Sequence, residues 1–386
     1  MTRVLPFRAL LHGPSRPPTP WSPDDPLKDP QRRTLLADPS HGLHFAEAFD
    51  ARGAIGAALA DGRLVQEASA GYPLLEIASR TPGEAPTLFL FALLPPQEGL
   101  PALEEGRSVR PAPLVLPTTV IAADDHRTLQ SLLRESAQEA RLLREGTLDA
   151  DRSFRLLVEE RPAMIRRLQA LLEDAPMRPM APLGREQTHL AAILPLAPAG
   201  WRFVPIHRGL KGVSTFEPER FLQLVGEWAR VFPLEVPLDT HAGRMEARER
   251  LGTLSRGSHA VLVVLPGKRA VLLRYRQGME FPKLPAVPKS PTLRSLDMAM
   301  LNALILRTVL GIRDPEMVGH PNVFPVQGVE TLVRDVESGL FQVGFALNPP
   351  PAWEVRAVME AGCNLPPRTL RLDPSPPAGL VYGGPP

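Results

Sequence analysis

An α+β fold with mixed sheets is what this sequence predicts, and three observations predict it. Continuous apolar runs of strand length stand at 88–94 and 189–196. Helical spacing of apolar residues governs other stretches, clearest at 295–310. Pro266-Gly267-Lys268-Arg269 separates two further apolar runs, the arrangement of a β-hairpin.

The elements follow in order. Residues 45–64 carry a helix pattern ending at Asp61-Gly62, and a strand begins at Leu64. Strands are expected at 72–77 and 88–94, with turn chemistry at Thr81-Pro82-Gly83. Residues 128–173 are expected to be helical. Leu129, Leu132, Leu133, Ala137, Ala140 and Leu143 recur at helical spacing, Gly146 serves as a stop, Asp151 as a cap, and Pro162 as the start of a new helix. Strands at 189–196 and 201–206 flank Pro198-Ala199-Gly200. An amphipathic helix is expected over 216–231 through Phe221, Leu224, Val225 and Trp228. The hairpin then joins strands at 260–265 and 271–275. Helices follow at 295–310, closed by Gly311, and at 328–336. An apolar run at 341–348, a short helix and a proline-spaced tail complete the chain. We expect two parts, 1–240 and 241–386, the second carrying the hairpin, helix and tail strand and packed on the first.

Composition narrows the function classes. With 386 residues, 44% apolar and 22% charged, the chain can bury a sizeable core. A net charge of +2 is too balanced to call for nucleic acid or a membrane as partner. Lysine occurs only at 28, 211, 268, 283 and 289. A single cysteine, Cys363, excludes an intramolecular disulfide and a cysteine metal cluster, and reads as a small half-buried residue. The opening residues lack an apolar leader segment, and no stretch has the length of a membrane span. A cytoplasmic location is expected. The 46 prolines cluster at 14–26 and 111–117 and space the tail, which makes those stretches extended connectors.

The tail carries a resemblance. Leu365-Pro366-Pro367-Arg368-Thr369 and Ala378-Gly379-Leu380-Val381 follow an apolar run that closes in Asn348-Pro349. This frame, with Pro6-Phe7-Arg8-Ala9-Leu10 at the start, resembles the bacterial and archaeal domain of unknown function 1015 family. Members of that family end in an apolar strand closing in Asn-Pro, a helix, then Met-Pro-x-Lys-Ser-Thr-x-Phe-x-Pro-Lys and Gly-Leu. The resemblance implies a ParB/sulfiredoxin-like segment in the N-terminal part. It also implies kinship with the archaeal free serine kinase, a nucleotide-dependent phosphotransferase.

Three polar constellations mark that family, and this chain departs from each. The Pro-Pro-Tyr-Asp loop becomes Pro17-Pro18-Thr19-Pro20. The Pro-His-Glu-x-Thr segment becomes Asp124-Asp125-His126-Arg127-Thr128. The Asp-Gly-His-His-Arg turn, a phosphate-contacting loop, falls on Ala181-Pro182-Leu183-Gly184-Arg185. A rival placement puts that turn at Ile121-Ala122-Ala123-Asp124-Asp125-His126-Arg127, and both stay open. Pro205-Ile206-His207-Arg208 matches the family's Pro-Thr-His-Arg landmark and favours the first.

The candidate residues follow. Asp124 and Asp125 are the candidate acid/base pair, although carboxylates just before a helix also serve as caps. Arg185, His207, Arg208, Arg368 and Thr369 are the candidate anion-binding residues, weighed against hydrogen-bonded corners of the fold. His189, His241, His259 and His320 show no ligand spacing, so no metal site is expected. The resemblance implies a phosphate- or nucleotide-binding protein that has lost its catalytic letters. The alternative is an active kinase-type enzyme using ATP or ADP with Mg²⁺ on a small hydroxy compound. The expected ligand is a nucleotide or phosphorylated small molecule, with a protein partner as a further reading. Nucleic acid and membrane are not expected.

Overall fold

The computed structural model describes residues 3–13, 20, 33, 35–37, 44–45, 48, 50–96, 102–103, 114–123, 128–184, 186–196, 200–214, 216–276, 288–317 and 319–384. Helices and mixed sheets make the chain α+β, as the element pattern predicts. It divides into two compact units. The first holds Met1–Leu103, Ser108–Arg202 and Leu372–Pro386, and Phe203–Arg371 forms the bulk of the second.

In the first unit, β1 (Leu10–His12) and β2 (Leu64–Gln66) form a small antiparallel ribbon. A seven-stranded sheet is built from β3 (Tyr72–Ser79), β4 (Thr87–Leu94), β5 (Thr118–Ala122), β6 (Arg141–Thr147), β7 (Arg152–Glu159), β8 (Met177–Pro179) and β9 (His189–Pro195). Its order is β6-β7-β3-β4-β9-β5-β8, and the β5–β9 pair is parallel while its neighbours run antiparallel. The unbroken apolar run of β4 is buried along its whole length, as befits a central strand covered on both faces. Two helices, α2 (Thr128–Glu139) and α3 (Pro162–Asp174), set Leu129, Leu132, Leu133, Leu168 and Leu172 into one core with Leu74 and Leu90. A helix earlier in the chain, α1 (Ala51–Ala60), is capped by the Asp50 side chain and buries Ile55 and Ala58 beside Leu10, Phe45 and Tyr382.

The expected helix over 128–173 holds only at its two ends. Residues 141–159 form the β6–β7 hairpin instead, paired from Arg141↔Val158 to Thr147↔Ser153. Asp149 accepts from the Asp151 amide and so closes the turn that looked like a helix cap. Leu156 and Leu157 are both fully buried, and pairing β7 along β3 supplies backbone partners that no isolated pattern reveals.

In the second unit, β10 (Arg202–Leu210), β11 (Ala229–Pro233), β12 (Ala260–Leu265), β13 (Arg269–Tyr275), β14 (Val323–Gln327) and β15 (Val343–Ala346) run in the order β11-β13-β12-β15-β10-β14, with β16 (Leu370–Asp373) pairing on β10. The β12–β13 turn carries Gly267 at φ 77 and Lys268 at φ 58, the left-handed pair of a tight hairpin. The helix expected over 216–231 ends early: α4 spans Pro218–Val225, and Ala229–Pro233 leaves it to pair with β13. The sheet edge gains a strand there, which outweighs continuing a helix past Gly226. A long helix that the apolar pattern does not announce, α5 (His241–Leu254), is capped by the Thr240 hydroxyl on the Gly243 amide. Gly243 is needed at that point, since a Cβ would lie 2.1 Å from the Pro237 carbonyl oxygen.

The helical region expected at 295–310 is split. A single turn, α6 (Pro291–Arg294), precedes α7 (Asp297–Met300), which runs on into a π-helix over Leu301–Val309. The wider coil buries six consecutive residues, Leu301 to Leu306. The last helices are α8 (Val329–Glu337) and α9 (Ala352–Glu360), the second following the apolar strand β15. No helix of the described residues is long and apolar enough to cross a membrane.

Candidate functional site

The second unit contains a cavity of about 530 Å³ where three chain segments meet. The first segment is the stop of α5 and the entry to β12, Ser255 to His259. Its backbone is held by the hairpin, because the Tyr275 amide donates to the His259 carbonyl at 3.0 Å. The second is Ser295 to Met298, where α7 begins. The third is the exit from β15, Leu347 to Pro351, continuing to Trp353 and Glu354 in the first turn of α9. Asn348 joins the first and third segments by donating to the Ser255 hydroxyl at 3.1 Å.

Chemistry concentrates in four side chains. His259 Nδ1 lies 2.9 Å from Asp297 Oδ1, and the imidazole stands edge-to-face on Tyr275. When Nδ1 carries its proton toward Asp297, Nε2 is left as the base, so the pair has the makings of an oriented general base. Glu354 faces the same cavity, and its carboxylate has no hydrogen bond or ion pair among the described residues. Burial pushes its pKa up to about 7, Asp297 adds to the rise, and His259 acts against it. Tyr275 is buried with its hydroxyl unpartnered among the described residues, and burial holds that phenol well above its ordinary value. At the rim, Trp353 is 65% exposed.

The Glu354 shift has a measurable consequence. A carboxyl whose folded pKa is raised contributes stability below its unfolded value near 4.3, and loses it as pH climbs to about 7. Solvent screening of this half-buried group takes away about half of the full linkage value. Glu354→Gln is therefore expected to change stability little at pH 4 and to raise it by about 1–2 kcal/mol at pH 8. Thermal unfolding at the two pH values checks this; a variant no more stable than wild type at pH 8 would refute it.

Four of the candidate anion-binding residues gather in one corner of the same unit. His207 and Arg208 lie on β10, and the Ile206 amide donates to the Thr369 carbonyl at 3.1 Å. His207 is buried, its Nδ1 accepts from the Leu347 amide at 3.2 Å, and burial followed by the Arg248 and Arg208 charges pushes its pKa down to about 3. It stays neutral and props the cavity wall from beneath. The Arg208 guanidinium donates to the carbonyls of Ile206, His207, Arg368 and Pro367 at 2.9–3.2 Å. Arg368 takes a left-handed φ of 55, and the Thr369 hydroxyl donates to the Pro366 carbonyl at 2.6 Å. Thr369 also lines the cavity. Asp124, Asp125 and Arg185 lie outside the described residues. Beside the last of these, the Gly184 amide donates to His189 Nε2 at 2.7 Å.

The residues that sequence reasoning missed are His259, Asp297, Asn348, Trp353 and Glu354. Asn348-Pro349 was visible as the end of the tail strand. His259 and Asp297 stand 38 positions apart and follow no ligand spacing, so only the fold joins them. Among the described residues, no three His, Cys, Asp or Glu side chains are grouped to hold a metal ion.

Fold and cavity together define an α+β protein with a pocket of small-molecule size that mixes polar and apolar walls. No protein-family model matches this chain, and no curated protein sequence matches it. Among solved structures it is weakly similar to free serine kinase. A complex with AMP is 14% identical with a TM-score of 0.30, and a variant complex with ADP is 13% identical with a TM-score of 0.29; each match covers 75% of this chain and 95% of the other. A conserved hypothetical protein from Pyrococcus furiosus is 13% identical with a TM-score of 0.28, over 67% of this chain and 91% of that one. Likeness at this level does not identify a shared site.

Proposed function

We propose that the protein binds a small hydroxyl-bearing molecule in the cavity of the second unit, on a phosphate- or nucleotide-binding scaffold that has lost its family's polar motifs. The observation that carries this reading is the Glu354 carboxylate, without a hydrogen bond or ion pair among the described residues, facing the same cavity as the His259–Asp297 pair. A half-buried carboxylate without a donor carries part of its desolvation cost, and a ligand hydroxyl or N–H relieves it. The loss of the family's motifs is read from Asp124-Asp125-His126-Arg127-Thr128 and Ala181-Pro182-Leu183-Gly184-Arg185, which depart from them; at the retained Arg208, four hydrogen bonds go to backbone carbonyls. Asp124, Asp125, Arg185, Arg368 and Thr369 keep their proposed roles only if phosphate binding survives.

A second reading is favoured by the His259–Asp297 pair itself. In an active nucleotide-dependent phosphotransferase, His259 Nε2 would take the proton of a bound hydroxyl. The hydroxyl oxygen would form its bond to the γ-phosphorus of ATP as the β–γ bridge breaks, and ADP would leave with Mg²⁺ on its phosphates.

One experiment separates these readings. Thermal shifts are measured with ATP, ADP, pyrophosphate and a panel of small hydroxy compounds, with and without Mg²⁺, on wild type, His259→Asn and Glu354→Gln. A ligand at about a hundred times its Kd adds roughly 2.7 kcal/mol of stability. Protection by a hydroxy compound that is lost in Glu354→Gln is the expected result. Phosphate transfer that His259→Asn abolishes would replace it with the second reading. Protection by no compound, or protection untouched by either variant, would remove the cavity as the binding site.

A further inference from the structure

We propose that the ligand of this cavity carries an organic cation, an alkylammonium or guanidinium group, seated between the Glu354 carboxylate and the face of Trp353. The inference rests on the binding reading above and adds the charge of the ligand to it.

Three observations converge on a cation. Asp297 is already satisfied by His259, whereas Glu354 has no hydrogen bond or ion pair among the described residues. The cavity therefore offers one uncompensated carboxylate to whatever enters. Adjacent to it in sequence and lining the same cavity, Trp353 keeps 65% of its surface in solvent. An indole exposed to that degree forfeits apolar burial, and a cation over its face recovers part of it through the ring quadrupole. The remaining walls add hydroxyls of Ser255, Ser258 and Ser295 and the Asn348 amide, groups that accept hydrogen bonds from an ammonium or guanidinium.

The charges around Glu354 agree. The titratable groups that line the cavity with it are Asp297 at the start of α7 and His259 ahead of β12, with Arg256 at the mouth after α5. Asp297 raises the Glu354 pKa and His259 lowers it, while Arg256, an exposed residue, does not figure among the charges that move it. The field at the carboxylate is not dominated by a fixed cation of the protein. Glu354 ionises at about pH 7, so a bound cation favours the ionised form and its binding expels a proton. Affinity for the cation should rise from pH 6 to pH 8.

The test is a binding titration of the full chain, followed by tryptophan fluorescence and calorimetry, with methylguanidine, choline, 1-butanol and butyrate at pH 6 and pH 8. The expected result is that at least one cation binds in preference to the alcohol and to butyrate. Its affinity falls by about tenfold in Glu354→Gln at pH 8, and the gap narrows at pH 6. Methylguanidine against choline distinguishes a planar donor fork from a simple ammonium charge. Trp353→Leu is the second variant, expected to weaken the cation by a few-fold and to remove the fluorescence change. Cation affinity unaltered in Glu354→Gln, butyrate binding ahead of both cations, or no probe binding into the millimolar range would overturn the proposal. A neutral hydroxy compound that binds through Glu354 while both cations fail would sink this inference and leave the binding reading standing. Failure of every ligand in both experiments would sink the two together.

Discussion

Arg208→Met is expected to destabilise the second unit by about 3 kcal/mol, because four backbone carbonyls lose their donor at once. The guanidinium fork is the only side-chain shape that reaches this many acceptors from one position, and Arg208 is 3% exposed. Two of the four carbonyls belong to Pro367 and Arg368, so Arg208 ties the tail to β10 beside the Ile206–Thr369 backbone bond and the β16 pairing. Water entering the vacated space would satisfy part of the loss, which keeps the figure below the sum of four orphaned groups. Urea unfolding gives the measurement. A change under about 0.5 kcal/mol accompanied by lost pyrophosphate binding would instead identify Arg208 as the anion-binding residue that the family resemblance implies. His207 should report the same damage, since its Nδ1 holds the Leu347 amide in the adjoining wall.

Glu159→Ala is expected to cost the first unit about 3–5 kcal/mol at pH 7, the largest loss foreseen for any single side chain in it. The Glu159 side chain is fully buried and accepts from the Ser136 hydroxyl at 2.5 Å, from the Arg161 amide at 2.8 Å, and from Arg161 Nε and Nη2 at 2.9 and 2.6 Å. Burial alone would raise its pKa, but the Arg161 and Ser136 hydrogen bonds outweigh that and hold it below the usual carboxylate range. Stability from such a group is present above the unfolded Glu value near 4.3 and is lost as pH falls through the folded value. The gap between wild type and Glu159→Ala should therefore narrow on acidification below about pH 4. Glu159→Gln keeps the shape and loses the charge, and should fall between the two. Denaturant midpoints for the three proteins at pH 7 and pH 3 check the series; a gap that is constant with pH would mean that the carboxylate charge contributes nothing.

Much of the framework was legible in the sequence, for local reasons. The runs that became β4 and β9 were unbroken apolar stretches of strand length, and a strand buried on both faces leaves no other pattern. The β12–β13 hairpin declared itself through a proline-glycine turn between two apolar runs, and α8 through apolar spacing after a glycine. Where local pattern failed, it failed on competition between backbone partners. Leu142, Leu143 and the residues of β7 satisfy helical spacing as readily as strand alternation, and the open edge of β3 decided between them.

The cavity shows the other side of this division. Its residue types were all in view, yet His259 was one histidine among nine and Asp297 a carboxylate of the kind that starts a helix. By itself the sequence determined the β12–β13 hairpin and the helices near 295–310 and 328–336, because periodicity is a property of neighbours along the chain, whereas β14 and β16 were left unannounced. Only the tertiary structure decided that His259, Asp297, Trp353 and Glu354 share a cavity, and that Arg208 bonds both to carbonyls of its own strand and to the tail. Those facts depend on how β12, α7 and the exit of β15 are brought together, which is set by burial of side chains distant in sequence.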